Sequence, residues 1–489
     1  MEKRYIIGLD EGTTSVRAGL YDTKKNEIIE IIQKPIKLKY PKPSFVELDA
    51  TEIWSKQLAC IVELLGTTEI NPTEVFGIGI TNQRETIVAW DKKNGKAICP
   101  SICWQCKRTA KEIENLPLET KKLIKEKTGL IPDAYFSASK ISWILKNIEK
   151  AQELLRENRL CVGTIDSYLI FKLTKGKFVT DITNASRTML LNIHTGKWDD
   201  ELLNIFNIPK SILPEIVACD EIVGETTLLG EKIYVGGIAG DQQSALIGQV
   251  CFKKGMIKNT YGTGGFALLN TRDYVKNDKL LSTIAYKIKG KICYALEGSN
   301  FNCGSTIQWL KEELELFDKT SDIDKICYKF DDTNGVYFVP AFTGLGSPHW
   351  NMGARGSILG LTRSTKKENI VRAGVESMAY STEDILNEVR KYVTIKEMRC
   401  DGGASNNNFL MQFQSDLSKI KITLPKNFES TLLGAIYLCG LAVKKYKNLT
   451  EIKKLWQCKK EFVPNKQNNY KTNYLGWQKA VEKAKDWID

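Results

Sequence analysis

The sequence is short of histidine, of long apolar runs and of charge gathered in one place. Its only histidines are His194 and His349. The cluster Cys99, Cys103 and Cys106 therefore lacks the partners that would complete a tetrahedral metal site, and it reads as structural thiols. The thirteen cysteines are odd in number and scattered without a framework, which suits a reducing cytoplasm rather than a disulfide scaffold. The longest apolar stretch, Leu432 to Val443, is interrupted by Gly434 and Gly440. It falls short of the roughly 20 residues that cross a bilayer, so no membrane span is expected and a buried core helix is. The opening MEKRYIIGLD has too brief an apolar run for a signal peptide. Lys and Arg number 70 against 58 Asp and Glu, a net charge of +12 that is spread along the whole chain. Without a basic arm or basic-and-aromatic clusters, nucleic acid is not an expected partner. The charge suits attraction of anionic substrates instead. A 42% hydrophobic and 26% charged composition over 489 residues fits a soluble enzyme of two large domains or three smaller ones.

What is present is a set of polar turns at the ends of apolar strands. The central one is 236–248, GGIAGDQQSALIG. Here Asp241 stands between glycines, amides and the start of a helix, able to accept a proton or simply to cap that helix. At the N-terminus, Tyr5 to Leu9 and Val16 to Tyr21 predict a hairpin whose tip carries Asp10, Gly12, Thr13, Thr14 and Ser15. Hydroxyls beside a glycine make a phosphate cradle, Arg17 adds a fixed charge, and Asp10 can anchor Mg²⁺. The same tip could equally be a polar turn without a ligand. FGIGIT ends in Asn82-Gln83-Arg84-Glu85, a candidate polar pocket for a small molecule. Arg84 and Glu85 are neighbours, so sharing a site requires a bend; otherwise they are a surface pair. Met256 to Tyr261, the tip Gly262-Thr263-Gly264-Gly265 and Phe266 to Asn270 repeat the first hairpin, as if two halves shared one plan. Apolar spacing over 369–392 predicts a long amphipathic helix. Asp401-Gly402-Gly403-Ala404 then forms a strand-to-helix turn suited to a nucleotide's base and ribose.

In order, DEGTTSVR at 10–17, GITNQRET at 79–86, GIAGDQQ at 237–243, NTYGTGGF at 259–266 and DGGASNNNFLMQFQSD at 401–416 resemble the FGGY carbohydrate kinases. Within that family they are most similar to the branch that phosphorylates glycerol. TNASRTMLLNIHTG at 183–196 and VYFVPAFTGLGSPHW at 336–350 extend the likeness over most of the chain. The resemblance implies an α/β fold of two actin-like ATPase (ribonuclease-H-like) domains with an interdomain active-site cleft. The N-terminal domain, 1–250, would carry the polyol site, the first phosphate loop and the catalytic Asp, and the C-terminal domain, 251–489, would bind nucleotide. The implied reaction is ATP + glycerol → ADP + sn-glycerol 3-phosphate with Mg²⁺, serving glycerol catabolism in the cytoplasm, in a homo-oligomer of two or four chains.

Carried over by position, the resemblance makes Asp241 the general base. It makes Arg84, Glu85, Tyr135, Asp241 and Gln242 the glycerol contacts, with Trp104 and Phe266 as an apolar wall. Thr13, Thr14, Ser15 and Arg17 match the first phosphate loop, and Asp10 the metal position. Thr263, Gly304, Gln308, Gly403 and Asn407 match the nucleotide side. The chain also departs from the family. Glu11 stands where Gln is usual, and SNFNC at 299–303 is more polar than its counterpart. TTLLGEKIYVGG at 226–237 lacks the arginine of a fructose 1,6-bisphosphate loop, and no phosphorylatable histidine lies nearby. A kinase for another polyol would be expected to replace NQRE and Trp104. A non-catalytic actin-like ATPase would keep the phosphate loops but need no polyol pocket.

Overall fold

YIIGLDE, SVRAGLYD and VFGIGITN are buried along nearly their whole length, the pattern of strands covered on both faces. In the computed structural model, which describes residues 2–488, they form the middle of a six-stranded sheet. Its order is Ile222–Thr226, Ile233–Gly240, Val75–Asn82, Tyr5–Glu11, Ser15–Asp22, Glu27–Pro35. Tyr5–Glu11 pairs antiparallel with Ser15–Asp22 and parallel with Val75–Asn82, which in turn runs parallel to Ile233–Gly240. One face presents Ile7, Leu9, Leu20, Ile78 and Ile80 to a core that includes Ile53, Cys60 and Leu64 of the Ala50–Thr68 helix. Asp49 caps that helix, accepting from the backbone N–H of Thr51 and Glu52.

The opposite face is lined with glycine. Side chains alternate across a strand, so Gly8, Gly77 and Gly79 point away from the isoleucines beside them. Against them lies the Ser430–Ala442 helix, the apolar stretch read from the sequence as a core helix. A methyl group on Gly79 would sit 2.3 Å from the Ala435 carbonyl oxygen, and one on Gly8 2.8 Å from Ile436. Gly434 of the helix approaches Ser244 in the same way, where a Cβ would meet its carbonyl oxygen at 1.9 Å. The two interruptions seen in that apolar run are contact points, since a Cβ on Gly440 would strike the Tyr446 ring at 2.4 Å.

Two compact units result. Residues up to Val250, with Ser282–Tyr294 and Glu429–Leu455, make the first; Cys251–Leu281, Ala295–Phe428 and Trp456 onward make the second. Within the second, strands lie in the order Gly265–Arg272, Met256–Tyr261, Glu397–Asp401, Ile422–Pro425, Cys458–Phe462. Met256–Tyr261 again pairs antiparallel with the return strand of its hairpin and parallel with the strand on its other side, followed by a second parallel strand. That is the arrangement of the first unit, as the recurring hairpin suggested. Lys367–Arg390 is the long amphipathic helix, and its buried residues join the core of the second unit. Among the described residues no helix is long and apolar enough to cross a membrane.

Candidate active site

Parallel pairing decides which turns meet. Glu11 and Gly240 both register against Asn82, so the DEGTTS, NQRE and GDQQ turns leave the same edge of the first unit's sheet side by side. The carboxyl edge of parallel strands is where α/β proteins commonly build sites. Past Asn82 the chain turns sharply: the Thr86 N–H donates to the Arg84 carbonyl at 2.8 Å, and Glu85 adopts φ 63°. A γ-turn with positive φ at a non-glycine centre is rare and strained. It is the bend that lets Arg84 and Glu85 serve one site.

Arg84 is buried, and its Nε lies 3.1 Å from Asp241 Oδ1 while its Nη1 donates to Gln243 Oε1 at 3.1 Å. Gly240 makes room, because a Cβ there would lie 2.7 Å from Arg84 Cγ. Asp241 opens the Asp241–Gly248 helix, but the cap position belongs to Gly240, so the capping reading of Asp241 does not hold. Its Oδ1 accepts from the Gln242 N–H at 2.7 Å, and Oδ2 accepts from Gln242 Nε2 at 3.2 Å. The carboxylate is thus oriented by three donors and keeps 31% of its side chain exposed, open to a ligand.

Glu85 is paired 2.6 Å from Arg187 Nε, with both side chains fully buried. Arg187 also lies over the rings of Tyr135, 5.6 Å away, and Phe136, 5.1 Å away. Tyr135 meets Trp104 edge to face at 5.5 Å, so the two aromatic residues expected as substrate contacts form one wall. Trp104 sits in a turn rather than a strand, since the strand stops at Ile102 and the Cys106 N–H closes onto the Cys103 carbonyl. Beneath Tyr135, buried Lys140 donates to the carbonyls of Ala134, Tyr135 and Phe136 at 2.6, 2.6 and 3.0 Å. Burial pulls its ammonium down to about 8, and Glu85 opposes the shift. Arg187 and Lys140 escaped sequence reasoning. SRTML carried the only hint of the first, and nothing in a helix-like SASKISW marks the second.

At the hairpin tip the Gly12 N–H donates to the Ser15 carbonyl at 2.9 Å, leaving Thr13, Thr14 and Ser15 at or near the surface. Arg17 pairs with Glu429 at 2.8 Å, both partly exposed, so an incoming phosphate would compete with a carboxylate for it. Burial pushes the Asp10 carboxyl up to about 7; Arg17 opposes this, and Asp241 and Glu429 add like charge. Among the described residues no three acidic, His or Cys side chains gather into a metal cage, so Asp10 is a single carboxylate that a cation brought by phosphates would use. Glu11 is fully buried, and burial raises its carboxyl well above the usual range. Its Oε1 accepts from Gln83 Nε2 at 2.9 Å, so it faces the NQRE turn rather than the phosphate tip. The cysteines nearby serve packing: Cys103 Sγ contacts Gln83 Oε1 at 3.9 Å and Cys106 Sγ the Ser44 carbonyl at 3.5 Å.

In the second unit, Gly304, Gly403 and Asn407 line one pocket of about 360 Å³. Ile307, Ile323, Val375 and Met378 supply flat apolar walls, and Ser321 and Asn406 supply polar groups. Gly304 must lack a side chain, for a Cβ would lie 2.6 Å from the Gly262 carbonyl, to which its own N–H donates. Gly402 rather than Gly403 carries the unusual backbone: φ is 85°, and a Cβ there would meet the Tyr261 carbonyl oxygen at 2.6 Å. Asn407 caps the Asn408–Ser418 helix through Leu410 N–H. Thr263 is exposed at its hairpin tip, and its carbonyl accepts from the N–H groups of Cys303 and Ser305. Gln308 lies on the surface of the Gly304–Glu312 helix and donates to Glu312. Neither lines the pocket, nor does any residue of the polar SNFNC segment. Phe266 is on the return strand of the second hairpin. Asp324, missed in the sequence, accepts from the N–H groups of Asn408 and Phe409 and fixes the helix start to the pocket wall.

Comparison with known proteins matches residues 5–248 to the N-terminal domain, and 257–443 to the C-terminal domain, of the FGGY family of carbohydrate kinases. The chain is 50% identical over 498 residues to a glycerol kinase of Clostridium botulinum (strain 657 / Type Ba4), with all of both chains covered. Its fold matches that of Plasmodium falciparum glycerol kinase with ADP at TM-score 0.91 and 35% identity, covering 99% of each chain. A ligand-bound xylulose kinase of Lactobacillus acidophilus matches at TM-score 0.86 and 26% identity, covering 98% of this chain and 96% of that one. The turns brought to one sheet edge, the repeated topology and these matches lead to one conclusion: the chain belongs to the FGGY family of carbohydrate kinases.

Proposed function

We propose that this protein transfers the γ-phosphoryl group of MgATP to glycerol, yielding ADP and sn-glycerol 3-phosphate, with Asp241 as general base. The observation that carries the reading is the Asp241 carboxylate, held by Arg84 and Gln242, with the same Arg84 3.8 Å from the Glu85 that pairs with Arg187 over the Tyr135 ring. Glycerol has three hydroxyls on a small carbon frame. Arg84, Glu85 and Gln242 take the hydroxyls, while the aromatic wall covers the carbons. The attacking hydroxyl gives its proton to Asp241 as its oxygen bonds to the γ-phosphorus and the bond from that phosphorus to the bridging oxygen of ADP breaks. Phosphoryl transfer asks mainly for position and charge stabilisation, so a carboxylate locked by three donors serves it well. Mg²⁺, held by Asp10 and the phosphates, would neutralise charge on the phosphoryl oxygens. The N–H and hydroxyl groups of Thr13, Thr14 and Ser15, with Arg17, would bind phosphate, and the Gly304–Gly403–Asn407 pocket would take the adenosine. A reducing cytoplasm is the setting that fits thirteen cysteines, all present as free thiols.

The test is ADP release from MgATP over glycerol, dihydroxyacetone, erythritol, xylulose and gluconate. Turnover confined to glycerol and close analogues is the expected result. Turnover only on xylulose or gluconate would overturn the polyol assignment, and no substrate-stimulated turnover would leave a nucleotide-binding module.

A further inference from the structure

Gln83 and Thr86 belong to NQRET, and they join a ring of hydrogen bonds that passes through Trp104 of the aromatic wall. Gln83 Nε2 donates to Glu11 Oε1 at 2.9 Å and to the Gly12 carbonyl at 3.1 Å. Thr86 Oγ1 donates to Gln83 Oε1 at 2.8 Å and accepts from the Trp104 backbone N–H at 3.0 Å. Trp104 Nε1 then donates to Thr13 Oγ1 at 2.9 Å, returning to the phosphate tip. The ring has only one possible sense. A backbone N–H and an indole N–H can only donate, and a carbonyl can only accept. The Gly12 carbonyl turns the Gln83 NH₂ toward itself, which leaves Gln83 Oε1 facing Thr86, and the Thr86 hydroxyl supplies the proton between those two oxygens while accepting from Trp104 N–H. Flipping the amide would set two acceptors face to face at Gly12. At the far end the indole occupies Thr13 as an acceptor, so the Thr13 proton points elsewhere, and it donates to no described residue. Gln83 and Thr86 are buried, where such bonds are strong and costly to break.

We propose that Gln83 and Thr86 are positioning residues that, through Trp104, hold the Thr13 hydroxyl with its proton directed at a phosphate oxygen of the nucleotide. The polyol wall and the first phosphate loop are thereby set as one piece. This rests on the proposed function for the role of Thr13, but its test does not need turnover. Binding of MgADP alone, measured by calorimetry on the full chain, reads the loop without any polyol. Thr86→Val, which removes the hydroxyl and keeps the shape, is expected to weaken MgADP about 3- to 10-fold. Thr86→Ser should restore it, and Thr13→Val combined with Thr86→Val should bind no more weakly than Thr13→Val alone. Should Thr86→Val fail to fold, Trp104→Phe removes the indole donor at a half-buried position and carries the same readout. Wild-type affinity in Thr86→Val or Trp104→Phe, or losses that add fully in the double variant, would overturn the proposal. A glycerol kinase assay that fails while these affinities follow the pattern would sink the substrate assignment and leave the ring intact.

Discussion

Arg84 illustrates how much at this site turns on single side chains. Its guanidinium meets Asp241 and Gln243 at once, and it can do so only because Gly240 leaves the space. Asp241→Asn keeps the shape and the contact with the Gln242 N–H but removes the proton acceptor. We expect kcat to fall by about 10²–10⁴-fold with MgADP affinity unchanged. Steady-state kinetics with glycerol would check it; a variant within about 3-fold of wild type would dismiss Asp241 as base. Away from the site, Asp166 gives a pH prediction. Its carboxyl is buried, accepts from Thr180 Oγ1 at 2.7 Å and the Asp181 N–H at 3.2 Å, and is pushed up to about 7 by burial, with the Asp181 charge adding. The folded state thus keeps a proton that the unfolded chain releases above about pH 4. By linkage this group costs stability as pH rises from about 4 to about 7, and the loss is complete above that. Asp166→Asn should therefore gain on wild type by about 1–3 kcal/mol between pH 5 and 7.5 in urea unfolding. Parallel stability curves would show that Asp166 does not titrate in this range.

At the scale of elements, the Ser430–Ala442 helix and the glycine face of the first sheet fix each other. Backbone carbonyls cannot move aside as a side-chain end can. Gly79→Ala, with its Cβ 2.3 Å from the Ala435 oxygen, is expected to destabilise the first unit by about 1–3 kcal/mol or more. A wild-type urea midpoint in that variant would mean the helix shifts without cost. The hairpins, the core helix and the long helix near 369–392 were legible because apolar period and turn residues are local signals. The reason for glycine at 77 and 79 was not, because the helix that demands it comes some 350 residues later. The same holds for Trp104, whose place in a turn depends on the distant Thr86 hydroxyl. The bend at Glu85 was inferred as a requirement, yet its form, a strained γ-turn, shows only in the backbone.

For the whole molecule, two units of one plan carry different residues at equivalent turns. Glycerol should then act on the first unit alone, and nucleotide on the pocket of the second together with the phosphate loop of the first. In hydrogen exchange, glycerol alone is expected to slow segments around 83–86, 104 and 241–242 of the first unit, and MgADP alone to slow 402–407 and 304–308 of the second with 12–15 of the first. Protection by glycerol confined to the second unit would contradict the polyol assignment. The sequence by itself determined the repeated hairpins, the motif order and the family, since each is written in a short run of residues. Only the tertiary structure decided that Ser282–Tyr294 and Glu429–Leu455 fold with the first unit. It alone brought Arg187 onto Glu85, Lys140 under Tyr135 and Glu429 onto Arg17. Those pairings join residues distant in the chain, and they depend on strand register and helix packing rather than on any local pattern.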